Sequence, residues 1–344
     1  MIDLSTKYMG IPLKNPIVVG ASNLVQDVKN LKKLEDAGAA AIVYKSLFEE
    51  QIQLESLEMQ NELQAWDNWN AEQTSMFPDI EHAGPAEHLM KLKEACNLVN
   101  IPIIASLNAI HEESWVNYAI KIAETGVAGL ELNFYADSHR ISEKGSEIEK
   151  LQIETLRKVK AATNIPISVK ISPYYTNISR MVYKLDRVNA GGFVLFNRLF
   201  QPDIDIEKEE HHFPYNFSSQ NDNRLALRYA GLLYGEVQGS IIASTGIMEG
   251  SDVIKMLLAG ADNVQVVTAL YRKGFHQINS MLAAIEAWMK EKGYSSLADF
   301  RGKLSRKALK NPYTYKRAQY VDILMHSDQI FKQVPENNME EEEA

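Results

Sequence analysis

Two lysines stand where buried strands would end. Lys45 closes the apolar run 40–45, and Lys170 lies one residue before the end of run 165–171. An ammonium group at the end of an apolar segment must face water, a ligand or a carboxylate, because an unpaired charge is costly to bury. Other polar or small residues stand at or just past the ends of similar runs: Ala21 and Ser22, Ser46, Asn108, Asn133, Asn197 with Arg198, Thr245 with Gly246, and Thr268. If these ends share one rim, two lysines beside Asn133 and Asn197 describe a site for a polar ligand. Thr245-Gly246-Ile247 and Thr268 offer backbone N–H groups of the kind that hold a phosphate. Plainer readings stand beside these. Lys45 pairs with Glu49 or Glu50, Lys170 reaches out to water, each Asn caps a helix or turn, and Thr245-Gly246 is an ordinary strand-to-helix turn.

The elements that must position these residues repeat. Eight short apolar runs occur at 17–20, 40–45, 101–107, 128–133, 165–171, 192–197, 240–245 and 263–268, each followed by a stretch of helical period. Runs one, three and five follow an Asn-Pro or Asn-Ile-Pro step, as at Asn15-Pro16. Runs two, four, six and eight follow a helix ending in Gly, at Gly38, Gly126, Gly191 and Gly260. Proline before a strand stops a helix from continuing, and glycine supplies the left-handed residue that closes one. The runs are near-continuously apolar, as expected of parallel strands covered on both faces. Eight such units predict an α/β fold, a closed (β/α)8 TIM barrel, whose functional residues gather at the carboxyl ends of the strands. The competing open doubly wound sheet usually carries a G-x-G-x-x-G fingerprint after its first strand, which is absent here.

The expected organisation is a barrel over residues 1–310, a helical C-terminal extension over 311–334, and an acidic disordered tail over 335–344. Two long insertions, 46–100 and 201–223, follow run ends and so belong to the functional face.

Composition narrows the function classes. The chain has 344 residues, 45% hydrophobic and 24% charged, enough for a sizeable core. Its formal charge of −9 argues against a nucleic-acid surface, which needs clustered bases. Five glutamates and no base follow Pro335, so the body itself is only mildly acidic. The single Cys96 excludes an intrachain disulfide framework and a multi-cysteine metal site; in its helical stretch it reads as a buried structural thiol. No apolar run approaches the ~20 residues needed to cross a bilayer, and the first ten residues lack the features of a secretory signal. A cytoplasmic protein is expected. His211-His212 beside Glu209-Glu210 could ligate a metal, but a solvated charged loop is favoured and no metal is expected. Trp66 and Trp69 form either a wall over a planar ligand or helix packing.

Taken in order and spacing, several segments resemble the FMN-dependent dihydroorotate dehydrogenase family, nearest its soluble class 1 branch. They are Ala40 to Ser46, Gly129-Leu130-Glu131-Leu132-Asn133, Pro166-Ile167-Ser168-Val169-Lys170, Thr245-Gly246-Ile247, Gln265-Val266-Val267-Thr268-Ala269-Leu270, and Gly293-Tyr294-Ser295-Ser296-Leu297. The membrane-bound branch carries an N-terminal helical extension, for which a first strand at residue 17 leaves no room. The resemblance implies FMN as cofactor, with Ala21 and Ser22 against the flavin ring and Lys45, Ser46 and Asn108 beside it. Lys170 would approach the pyrimidine edge of the ring, Asn133 and Asn197 would bond to flavin or substrate, and Thr245, Gly246 and Thr268 would hold the phosphate. A role in pyrimidine metabolism and a homodimer are also compatible with it.

One loop departs from the family. The family reads Asn-x-Ser-Cys-Pro-Asn after the fourth strand, or has Ser for Cys, and that Cys or Ser is the general base. This chain reads Asn133-Phe134-Tyr135-Ala136-Asp137-Ser138. Ala136 cannot take a proton, so a neighbour such as Asp137, Tyr135 or Ser138 would have to act instead, Asp137 being best placed by charge; Ser138 is also a candidate substrate contact. Arg198 stands where the family has Ser and is a candidate carboxylate clamp. The expected activity is hydride transfer between a CH–CH bond of a small cyclic substrate and flavin N5, with Lys45, Lys170 and Asp137 as the catalytic candidates and dihydroorotate turnover reduced. The alternatives are a catalytically inactive flavin- or phosphate-binding barrel with a regulatory role, and a phosphosugar isomerase or aldolase in which Lys170 forms a Schiff base.

Overall fold

A computed structural model describes residues 2–51, 53, 85–136, 141–198, 202–212, 217–310, 315–316, 321 and 324–325. The extension and tail expected over 311–344 fall almost wholly outside these residues, as do Trp66 and Trp69.

The chain opens with an antiparallel hairpin, β1 (Thr6–Tyr8) and β2 (Ile11–Leu13). The strands β3 (Ile17–Val19), β4 (Ala41–Val43), a short β5 (Leu47–Phe48), β6 (Ile103–Asn108), β7 (Gly129–Asn133), β8 (Ile167–Ile171) and β9 (Gly192–Leu195) follow. A second hairpin, β10 (Asp203–Asp205) and β11 (Glu210–His212), precedes β12 (Ser240–Ser244) and β13 (Asn263–Val266). Every pairing around the ring β3-β4-β6-β7-β8-β9-β12-β13 is parallel, and β13 returns to β3, so the eight strands close into a barrel. Each barrel strand falls in one of the eight apolar runs, with β6 alone extending one residue past its run, to Asn108.

Helices cover the outside: α1 (Val28–Asp36), α2 (Pro85–Leu98), α3 (Glu112–Ala123), α4 (Gly145–Ala162), α5 (Ile178–Asp186), α6 (Asn223–Leu233), α7 (Gly250–Ala259), α8 (Thr268–Lys273) and α9 (Gln277–Lys292). Among the described residues, no helix is long and apolar enough to cross a membrane. The strands alternate between two apolar clusters, which explains their continuous hydrophobicity. Ile17, Val19 and Ile42 pack outward under the helices. Val18, Ala41, Val43, Ile104, Val194 and Ile242 face inward, where Tyr8 and Met9 of the first hairpin join them. Gly192 admits Tyr8: a Cβ there would stand 3.0 Å from the Tyr8 ring and 3.1 Å from Ile242.

The expected helix stops hold at Gly38, Gly126 and Gly260, all with positive φ. After α5 the left-handed residue is Asn189 (φ 62°), not Gly191. Asparagine tolerates that conformation better than other non-glycine residues.

Candidate functional site

Lys170 is nine-tenths buried inside the barrel and lines a cavity of about 320 Å³ at the carboxyl ends of the strands. The cavity also brings together Ala21, Asn197, Arg198, Thr245, Gly246 and Thr268, all expected there from sequence. That size falls in the range of roughly 300–1,000 Å³ typical of small-molecule sites.

Lys170 does not extend to water. Its Nζ donates to Gln265 Oε1 at 3.2 Å and lies 3.8 Å from Glu131 Oε1. Asn133 ends β7 directly opposite Lys170 in register. Its Oδ1 accepts a 2.8 Å hydrogen bond from Asn197 Nδ2, so the two predicted amides meet above the lysine strand. The chain places Asn197 by a backbone bond from its N–H to Ile171 O at 2.8 Å.

On the next loops, Thr245 and Gly246 are consecutive left-handed residues, with φ of 75° and 73°. Threonine is strained there; its hydroxyl donates to Phe196 O at 3.1 Å. Gly246 is needed, since a Cβ would meet Asn223 N at 2.6 Å and Ser219 O at 2.7 Å. Ser218 joins the two expected phosphate loops: Gly246 N–H donates to its hydroxyl at 3.2 Å, and that hydroxyl pairs with Thr268 Oγ1 at 3.0 Å. Phe217, tilted against Tyr271 with 5.4 Å between ring centres, forms an apolar wall beside them.

Arg198 lines the cavity but is not a bare clamp. It pairs with Asp222 Oδ2 at 2.9 Å. Burial raises the Asp222 carboxyl, yet the Ser219 N–H and the Arg198 charge outweigh it and hold the group below the usual carboxylate range.

Lys45 sits apart from the cavity lining. Its Nζ donates to Gln26 Oε1 at 2.9 Å, and burial followed by repulsion from Lys91 lowers its affinity for a proton. Neither Glu49 nor Glu50 holds it through a hydrogen bond. Glu49 turns instead to the start of α3, accepting from Ile110 N–H, His111 N–H and Ser114 Oγ at 2.6–2.9 Å. Ser46 pairs with Ser106 at 2.7 Å inside the wall, and Asn108 ends β6 opposite Phe48. Asp137 and Ser138 lie outside the described residues. Ala136, at the family's base position, is exposed, and so is Tyr135; Phe134 is buried in the outer cluster under the helices, edge-on to Trp115 of α3.

Whether FMN fits can be judged from Ser22. Its hydroxyl is buried with no hydrogen-bond partner, next to Ala21 of the cavity wall. Buried hydroxyls are seldom left unpaired. An ammonium and a glycine-containing loop around one cavity, with an orphaned hydroxyl on the residue next to its Ala21 wall, suit a polar planar group with a phosphate. The residues fit.

Sequence reasoning missed Glu131, Gln265, Ser218 and Phe217. For the first two the signal was present, a charge and an amide inside apolar runs. Ser218 and Phe217 lie in the insertion 201–223 expected on the functional face, but no local pattern assigned either a role there. His211 and His212 lie on exposed β11, and among the described residues no group of His, Cys, Asp and Glu could hold a metal.

The dihydroorotate dehydrogenase family model matches residues 62–289. Among curated proteins, the chain is 27% identical over 307 residues to dihydroorotate dehydrogenase B (NAD(+)), catalytic subunit, of Thermoplasma volcanium, covering 88% of this chain and 98% of that protein. It is 28% identical over 276 residues to dihydroorotate dehydrogenase A (fumarate) of Limosilactobacillus reuteri, covering 78% of this chain and 87% of that one. The matched segment spans well over half of the sequence and most of the barrel, and the chain belongs to the dihydroorotate dehydrogenase family.

Proposed function

We propose that the protein is an FMN-dependent oxidoreductase acting on a CH–CH bond of a small cyclic substrate, with a place in pyrimidine metabolism and in the cytoplasm. The observation that carries this reading is the cavity at the strand ends, which Lys170, Asn197, Gly246 and Thr268 line together and where Asn197 is joined to the amide of Asn133. Family membership supports the flavin.

When bound, FMN would supply the hydride acceptor or donor. The chain's own residues would do the rest. Thr245, Gly246, Thr268 and Ser218 would hold the phosphate end, and Ala21 and Ser22 would lie against the ring. Lys170 would present positive charge, which favours an electron-rich ligand in a site shielded from water. Asn133 and Asn197 would orient flavin or substrate by hydrogen bonds. Lys45 would act from the edge of the site, released from Gln26. Arg198 would contribute through its paired form with Asp222 or by exchanging that partner for a substrate carboxylate.

The proton is the weak point for dihydroorotate itself. Removing it needs a positioned base, and Ala136 offers none. Asp137 is the nearest acid in sequence and Ser138 the nearest hydroxyl past it. We infer that dihydroorotate is oxidised slowly and that the preferred substrate differs in how its proton leaves.

The absorption spectrum of the purified protein, before and after denaturation, tests this reading. Flavin bands that shift on denaturation and a released molecule identified as FMN support it. A protein that carries no flavin and takes none up overturns it. Bleaching by dihydroorotate at ordinary turnover rates, with NAD(+) and fumarate each offered as acceptor, would overturn the inference of slow oxidation.

A further inference from the structure

Glu131 is a carboxylate sealed inside the barrel. Its neighbours Leu130 and Leu132 pack outward under the helices, so the alternation of β7 turns Glu131 inward, where its side chain has no exposure. An isolated charge could not remain there, and three groups answer it. Gln265 Nε2 donates to Oε2 at 2.5 Å, and the Tyr8 hydroxyl donates to the same oxygen at 3.2 Å. Oε1 accepts no hydrogen bond and faces Lys170 Nζ at 3.8 Å. The Gln265 amide is thereby fixed at both ends, its nitrogen on the carboxylate and its oxygen 3.2 Å from the lysine. Tyr8, which also pairs with Ser168 at 2.8 Å, arrives from the N-terminal hairpin that plugs the barrel. Burial, and then the charge of Glu131, push the Tyr8 phenol well above its usual range, so it remains a donor.

We propose that Glu131 is a positioning residue which, from below the cavity, holds Lys170 directly and through Gln265 and sets how much positive charge the cavity floor presents to a bound flavin. The proposal rests on the flavin reading above. With Glu131 ionised, the ammonium is partly compensated, and a ligand that gains electrons competes with the buried carboxylate for it. With Glu131 neutral, the ammonium acts on the ligand alone. Charge next to the ring is one of the few means by which a protein tunes a flavin.

Two measurements separate failure of this proposal from failure of the flavin reading. The first needs no cofactor: thermal unfolding of the flavin-free protein as wild type, Lys170→Met, Glu131→Gln and the double variant. Lys170→Met leaves the carboxylate buried without its cation and should lower the melting temperature markedly, and adding Glu131→Gln should recover most of the loss. Additive losses would overturn the pairing. The second is the midpoint potential of bound FMN. Glu131→Gln should favour reduced over oxidised flavin roughly tenfold, about 30 mV upward for a two-electron couple. Tyr8→Phe, which takes a donor from the carboxylate and folds around a near-identical ring, should shift the potential the other way. Both shifts should vanish in a Lys170→Met background. Unshifted potentials in flavin-loaded variants would overturn the proposal. A wild type that binds no flavin would remove the flavin reading and leave the unfolding cycle as the test of the charge pair.

Discussion

Asn197 Nδ2 donates to Asn133 Oδ1 at 2.8 Å, a bond that joins the ends of β9 and β7 across the strand carrying Lys170. Each amide keeps further hydrogen-bonding capacity for a ligand. Asn197→Ala deletes that bond and a ligand donor, at about 1–2 kcal/mol. FMN affinity, followed by flavin fluorescence, is expected to weaken by about tenfold, with the melting temperature of the flavin-free protein little changed.

Restoring a proton acceptor at Ala136 should reveal the latent chemistry. Ala136→Cys is expected to raise the rate of dihydroorotate-dependent flavin reduction by roughly 10²–10⁴-fold, the usual worth of a positioned base. Stopped-flow absorbance would measure it. No gain in a variant that still holds flavin would mean that the loop does not bring residue 136 to the substrate.

The architecture was legible because it is written in repeated local signals. Each apolar run became a barrel strand, and the helix stops at Gly38, Gly126 and Gly260 appear as left-handed residues. Lys170, Asn133 and Asn197 were legible for a related reason, since polar residues at the ends of buried strands have nowhere else to point. What was illegible depends on contacts between distant residues. Nothing local shows that Arg198 meets Asp222, that Gln26 takes up Lys45, or that Ser218 ties Gly246 to Thr268. Glu131 could have been found by the reasoning applied to the lysines, because a carboxylate between two leucines in a buried strand demands a partner. The left-handed residue at Asn189 shows the limit of reading glycines alone.

His88 makes the acid limb of stability testable. It packs edge-on to Tyr44 at 5.5 Å, and its Nε2 is buried without a partner. Burial, then repulsion from Lys45 and Lys91, lowers its pKa from 6.5 to about 4. Between those values the unfolded chain holds a proton that the folded chain does not, so this contribution is complete above the upper value and is lost as pH falls toward the lower. The loss is on the order of 3 kcal/mol. Denaturant titrations from pH 7 to pH 4 should show it, and His88→Gln should flatten that part of the profile. An unchanged profile in the variant would assign the acid sensitivity elsewhere.

Cys96 on α2 is half-buried, less enclosed than its sequence context suggested, and burial raises its thiol to about 11. Little thiolate exists at neutral pH, and the thiolate is the reactive form. Iodoacetamide should label the native protein at pH 7.5 far more slowly than the unfolded protein, as read by intact mass. Labelling at equal rates would contradict the enclosed site.

At the centre of the proposed site is a flavin mononucleotide held by Lys170 and by the loops that carry Gly246 and Thr268. The most direct test of that site is a fluorescence titration of flavin-free protein with FMN and, separately, with riboflavin, in wild type and Lys170→Met. FMN should bind saturably, riboflavin much more weakly because the phosphate loops have nothing to hold, and both should bind more weakly to Lys170→Met. Equal affinity for FMN and riboflavin, or affinities indifferent to Lys170, would contradict that site.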